Sequence, residues 1–211
     1  MTSDQTDKDY VQLPLRTFLD DAAAGQPTPG GGAISALAGA LGVTMARMAG
    51  NFTLGKKKYA DRAEAVGACM KKLHTAQEML EKFTAEDMAA FRLYQAANRL
   101  AADDPDKPNQ QKAALAAALS VPGEIVATCA VALAQTAELA PLANPFLLSD
   151  VGVAAVLVEA AARAASLNVR VNLAYMDDAD EAQRVRATVD EQLGHARDAL
   201  AKVMAVVDQK F

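Results

Sequence analysis

Asp87 stands in Ala85-Glu86-Asp87-Met88-Ala89-Ala90-Phe91, with Phe83, Met88, Phe91 and Tyr94 as apolar neighbours. A carboxyl group among such side chains loses hydration, so its pKa rises and it can serve as a general acid or base near neutral pH. Helix surfaces carry many aspartates with no such role, and Asp87 alone does not decide between the two. Pro27-Thr28-Pro29-Gly30-Gly31-Gly32-Ala33 offers a second kind of chemistry. Glycines at a helix mouth expose backbone N–H groups at the positive end of the macrodipole, where a phosphate or carboxylate can sit. The block has neither the Gly-Lys-Ser/Thr ending and preceding strand of a P-loop nor the spacing of a dinucleotide fingerprint. A tight turn followed by close helix packing explains Pro29, Gly30, Gly31 and Gly32 equally well on local grounds.

Three further groups carry polar chemistry. Lys56-Lys57-Lys58-Tyr59 follows Asn51-Phe52-Thr53-Leu54-Gly55. By itself such a run describes a solvated corner; its functional alternative is a cationic mouth for a ligand with several carboxylates or phosphates, a role that suits lysine as a mobile point charge. In Leu148-Ser149-Asp150, helix capping is a sufficient account of Ser149 and Asp150. Asn168 and Asn172 are four residues apart, hence on one face of an otherwise apolar helix, and their amides need partners: each other, a neighbouring helix, or a heterocyclic ligand. Neither His74 nor His195 belongs to an HExxH arrangement, so no metal site is expected.

The elements that must position these residues read as helices throughout. Apolar residues recur at three- and four-residue intervals, and no stretch alternates long enough to form a strand. The expected architecture is an all-α, multihelical bundle with long helices, a single domain over residues 1–211. A first helix covers Leu13 to Ala24 and ends at Gly25; a second runs from about Gly31 to Leu54, with Gly32, Ala36 and Ala40 on one line and Gly42, Ala46 and Gly50 on another. Small residues at this spacing admit a close neighbour, which places the helix at the centre of a bundle or at a subunit interface. A long charged helix follows from about Ala60 to Ala101, then a surface loop over Asp103 to Asn109. A fourth helical region, Gln110 to Glu138, should bend or break at Pro122, which has no N–H to donate. After an irregular connection from Pro141 to Phe146, a fifth helix, capped by Ser149 or Asp150, reaches about Tyr175. Asp177 to Asp180 caps the last one.

Composition narrows the functional classes. Of the 211 residues 52% are hydrophobic but only 5% aromatic, so alanine dominates and close helix packing is favoured over sheets. A net charge of −5 argues against a general nucleic-acid binder. Cys69 and Cys129 lack CxxC spacing and fit buried, reduced thiols, which with the polar, acidic start MTSDQTDKDY points to a cytoplasmic chain. The charge-free stretch from Ala22 to Ala46 is broken by prolines and glycines and is rich in Ala and Gly rather than Leu, so no membrane span is expected.

Taken in order, the glycine block, Asn51 to Tyr59, Asp87 with Phe91, Ser120-Val121-Pro122, Ser149-Asp150 and Asn168 to Asn172 resemble the cyclodeaminase/cyclohydrolase family of tetrahydrofolate enzymes, from about Leu15 to Leu200. The resemblance implies an all-α, intertwined homodimer that acts at the N5–C–N10 bridge. Cyclodeaminases of the family convert 5-formiminotetrahydrofolate to 5,10-methenyltetrahydrofolate and ammonia; cyclohydrolases open the methenyl compound to 10-formyltetrahydrofolate. It implies Asp87 as the catalytic residue, with Pro29, Gly30, Gly31, Gly32, Lys56, Lys57, Lys58, Tyr59, Ser149, Asp150, Asn168 and Asn172 binding the folate, and no tightly bound cofactor. A formimino substrate would arrive from a separate formiminotransferase. Phe146 stands where many relatives carry a polar residue, and it keeps a non-catalytic folate-binding or interaction module as the alternative.

Overall fold

The computed structural model describes residues 8–211; the acidic start, Met1–Asp7, lies outside the described residues. Six α-helices and three short 3-10 turns make up the described residues, with no strand. The helices are α1 (Leu15–Ala23), α2 (Gly31–Asn51), α3 (Ala63–Arg99), α4 (Lys107–Leu139), α5 (Leu148–Leu173) and α6 (Ala179–Asp208). Gly25 ends α1 at a φ of 69°, a left-handed conformation that a side chain would disfavour. Asp178 caps α6 by accepting from the Glu181 N–H at 2.9 Å.

α2 lies between α3 and α5 and runs antiparallel to both. Gly31 meets Asn168 and Gly42 meets Ala154 and Val158 of α5, while Gly32, Gly39 and Gly50 meet Asp87, Leu80 and Met70 of α3. Its small residues are what permits this approach: Gly32, Ala36, Ala40, Gly42, Ala46 and Gly50 are all buried. α4 packs on α3 and α5, and α6 closes the bundle over α4 and α5. The core is built of Val43, Val66, Leu73, Leu80, Ile125, Leu133, Val158 and Val169 among many alanines, with Cys69 and Cys129 as buried free thiols. Burial pushes the Cys129 thiol up to about 12, so it packs as a small apolar group.

The first three helices end within three residues of the sequence expectation, and three further features differ from it. α4 begins at Lys107, inside the expected loop, with Pro108 in its first turn where a missing N–H costs nothing. It also continues unbroken through Pro122, for a reason given below. Ser149 and Asp150 do not cap α5: the helix starts one residue earlier, at Leu148, with no side-chain cap, and Asp150 instead sits in the first turn, where its charge suits the dipole. The segments Gly31–Asn51, Lys107–Leu139 and Pro145–Leu173 are long and apolar enough to cross a membrane by length and composition; half or more of the apolar windows of the first and third are buried inside the bundle.

Candidate active site

The mouth of α2 is capped from a different helix. Gly30, its N-cap, has no side chain to offer. The Asp87 carboxylate of α3 takes that place, its Oδ2 accepting from the Ala33 N–H at 2.9 Å. The carboxylate lies so close to the Cα of Gly32 that a Cβ there would collide with it. On the other side of the mouth Gly31 abuts the Asn168 amide, whose Oδ1 lies 3.2 Å from where a Cβ would be. Two of the three glycines thus face side chains of other helices, a carboxylate and an amide. Thr28 and Pro29, joined by a cis peptide, are buried behind the turn.

Burial raises the Asp87 pKa above the ordinary carboxylate value, and the Ala33 N–H pulls it partly back. Phe83 and Phe91 lie one turn to either side on α3, and the Phe91 and Tyr94 rings stand 6.3 Å apart. Among the described residues no other hydrogen bond reaches Asp87. One carboxylate oxygen is held, and the other is available to a ligand or a proton.

Asn172 is committed to the scaffold. Its Nδ2 donates to the Ala118 carbonyl at 2.6 Å. Ala118 lies four residues before Pro122, and its carbonyl is the one that loses its helical donor to the proline. α5 therefore supplies the missing hydrogen bond of α4, which is why the helix does not break there. Asn168 makes only a long 3.4 Å contact from Nδ2 to the Ala164 carbonyl and faces the glycine mouth.

The remaining expected residues gather at the far end of α2. Lys56, Lys57 and Lys58 are exposed, whereas Tyr59 is buried and its hydroxyl donates to Asn144 Oδ1 at 3.0 Å. Asn144 in turn donates its N–H to Thr53 Oγ1 at 2.9 Å and accepts from the Phe146 N–H at 3.2 Å. The Lys58 ammonium stands 5.5 Å from the centre of the Tyr59 ring. Ser149 and Asp150 open α5 at this same end, and Phe146, 84% exposed, is here too and away from Asp87. The 21 residues of α2 separate the two ends by about 30 Å. Within one chain the glycine mouth, Asp87 and Asn168 form one cluster, and Lys56 to Tyr59, Ser149 and Asp150 form another, not one pocket wall. Asn144 escaped sequence reasoning because its partners, Tyr59 and Thr53, are 85 and 91 residues away.

A model of the family described as formiminotransferase-cyclodeaminase matches residues 14–191. The chain belongs to this family. Among its members, a methenyltetrahydrofolate cyclohydrolase of Methylorubrum extorquens is 32% identical over 205 residues, covering 93% of both chains. The formimidoyltransferase-cyclodeaminase of Sus scrofa is 31% identical over 207 residues; the match takes in 94% of this chain and 37% of the pig protein. The crystal structure of formiminotetrahydrofolate cyclodeaminase from Thermotoga maritima superposes with a TM-score of 0.87 at 27% identity, covering 95% of this chain and 98% of that one. The family fold is therefore present over nearly the whole chain, in a form that spans about a third of the length of its bifunctional members.

Proposed function

We propose that this family member acts on tetrahydrofolate derivatives at the N5–C–N10 bridge, either releasing ammonia from the formimino compound or hydrating the methenyl compound. The observation that carries the reading is Asp87: a carboxyl group with a raised pKa, one oxygen fixed by the Ala33 N–H and the other unengaged, set beside a glycine mouth open to a ligand. Both reactions pass through a cationic, amidinium-like carbon, which a carboxylate stabilises while it moves a proton. In the deaminase direction N10 closes on the formimino carbon and the C–NH2 bond breaks; Asp87 gives its proton to the departing nitrogen and recovers one from N10. In the hydrolase direction water adds to the bridge carbon and Asp87 takes one of its protons; that proton passes to N5 as the C–N5 bond breaks, and the remaining hydroxyl proton is released to solvent as the formyl C=O forms. Beyond the folate substrate, the hydrolase direction calls only for water.

The reading includes a homodimer. α2 and α5 lie side by side and leave large apolar side chains exposed: Ile34 and Leu41 on α2 with Phe52 just past its end, and Val153, Leu157 and Val171 on α5, with no charged residue at the exposed positions of α2. The two candidate clusters lie at opposite ends of this face. A twofold copy packed antiparallel on it would bring its lysine end over the Asp87 end of the first, giving two complete sites. Such a dimer accounts for the apolar length of α2 and α5 without a membrane, and fits a cytoplasmic enzyme fed, for the formimino substrate, by a separate formiminotransferase. The experiment is to follow methenyltetrahydrofolate absorbance with the two substrates in parallel. Turnover of one is expected, and it names the reaction; turnover of neither by folded protein sinks the reading.

A further inference from the structure

Arg47 is the single charged side chain of α2. Its Nη1 donates to Gln77 Oε1 of α3 at 2.6 Å, and Gln77 donates from Nε2 to Glu81 Oε1 at 2.7 Å. The guanidinium is thus met by a neutral amide, and among the described residues no carboxylate pairs with it. Its Nε is buried and without a hydrogen-bond partner. A half-buried cation that keeps an unsatisfied donor and no counter-charge is costly, and the cost is relieved by an anion. Space for one is present: an open surface cavity of about 350 Å³ lined by Thr44, Arg47, Met48, Asn51, Phe52 and Gln77.

The lining is mixed in a way that selects its occupant. Arg47 and Asn51 supply hydrogen-bond donors, while the Thr44 hydroxyl donates to the Ala40 carbonyl at 2.9 Å and can only accept from a ligand; a guanidinium fork suits a carboxylate better than an ammonium does. Met48 and Phe52 supply a soft, flat apolar wall. We infer that this cavity is a carboxylate subsite for an acid carried on an aromatic body, and that across the proposed dimer it receives the glutamate end of a folate whose bridge lies at the Asp87 end of the other copy, since within one chain Arg47 stands about 22 Å along α2 from Gly32. The second half of the inference rests on the function proposed above. Thr44, Met48 and Phe52 also belong to the apolar side of α2, so the cavity opens at the edge of the surface that joins the Asp87 end to the lysine end.

The test is calorimetric titration of the full chain with p-aminobenzoyl-L-glutamate, with p-aminobenzamide as the probe lacking the acid and inorganic phosphate as the bare anion. Wild type should bind the glutamyl probe, Arg47→Gln should weaken it about tenfold, and p-aminobenzamide should not distinguish the two proteins. Unfolding temperatures of the variants check that they are folded. Should Arg47→Gln fail to fold, Gln77→Glu serves instead, since an internal carboxylate on the guanidinium should weaken the probe to a similar degree. Equal affinity of wild type and variant for the glutamyl probe overturns the subsite, as does phosphate binding to wild type as tightly as the probe does. The two readings fail separately. Folate turnover with a KM indifferent to Arg47→Gln removes the subsite and leaves the activity, whereas Arg47-dependent probe binding by a protein that turns over neither folate removes the activity and leaves the subsite.

Discussion

Gly32 has no room for a methyl group because the Asp87 carboxylate already occupies that side of its Cα. Gly67, on α3, is helical too but has nothing within 4 Å of where a Cβ would stand. The same substitution should therefore act in opposite senses at the two positions. Gly67→Ala should stabilise the protein by about 0.5–1 kcal/mol through helix propensity. Gly32→Ala should cost about 1–3 kcal/mol by overpacking, and it should lower kcat/KM sharply by pushing Asp87 off the Ala33 N–H. Denaturant midpoints and steady-state rates read both; two glycines that respond alike would mean that the carboxylate is free to move aside. The raised pKa of Asp87 belongs to this scale as well, because it arises from burial that the apolar spacing around the residue foreshadowed.

Among the elements, α4 and α5 share one hydrogen bond that neither could complete alone. Removing Asn172 orphans the Ala118 carbonyl, so Asn172→Ala should destabilise by about 1–3 kcal/mol. With Pro122→Ala in place, residue 122 can donate to that carbonyl itself, and most of the cost of losing Asn172 should disappear. A double-mutant cycle in urea measures the difference; strictly additive effects would break the link between the two residues. This pair also marks how far local reading reaches. Gly25, Asp178 and the four-residue lines of small side chains act on their own neighbourhood, and the helix ends and the packing of α2 follow from them. Pro122 reads locally as a bend or a break because its remedy lies 50 residues away on another helix. The residue types of Ser149 and Asp150 suit caps, yet the chain enters α5 from the 3-10 turn Pro145–Leu147 and needs no side-chain cap.

For the whole molecule, the candidate site was legible as a set of residues but not as an arrangement. Asp87, the glycines and Asn168 come together at the mouth of α2. The lysine corner fits the same ligand chemistry but stands about 30 Å off, because a straight 21-residue helix lies between the two motifs. The homodimer proposed above reconciles the two ends. Leu41 is 52% exposed near the middle of the α2 face, and Leu41→Asp should convert a micromolar dimer to monomer in sedimentation and abolish turnover with it. A wild-type chain that sediments as a monomer at that concentration would overturn the shared site.

The central claim is that Asp87, raised in pKa and held at the mouth of α2, moves the proton at the folate bridge. It is tested most directly by the pH profile of kcat/KM for wild type and Asp87→Asn on whichever folate substrate wild type turns over. Wild type should show a limb displaced above the ordinary carboxylate range. The variant should lose at least about a hundredfold in kcat/KM, and that limb with it, while remaining folded. A variant within a few-fold of wild type, with the limb unchanged, would contradict the account.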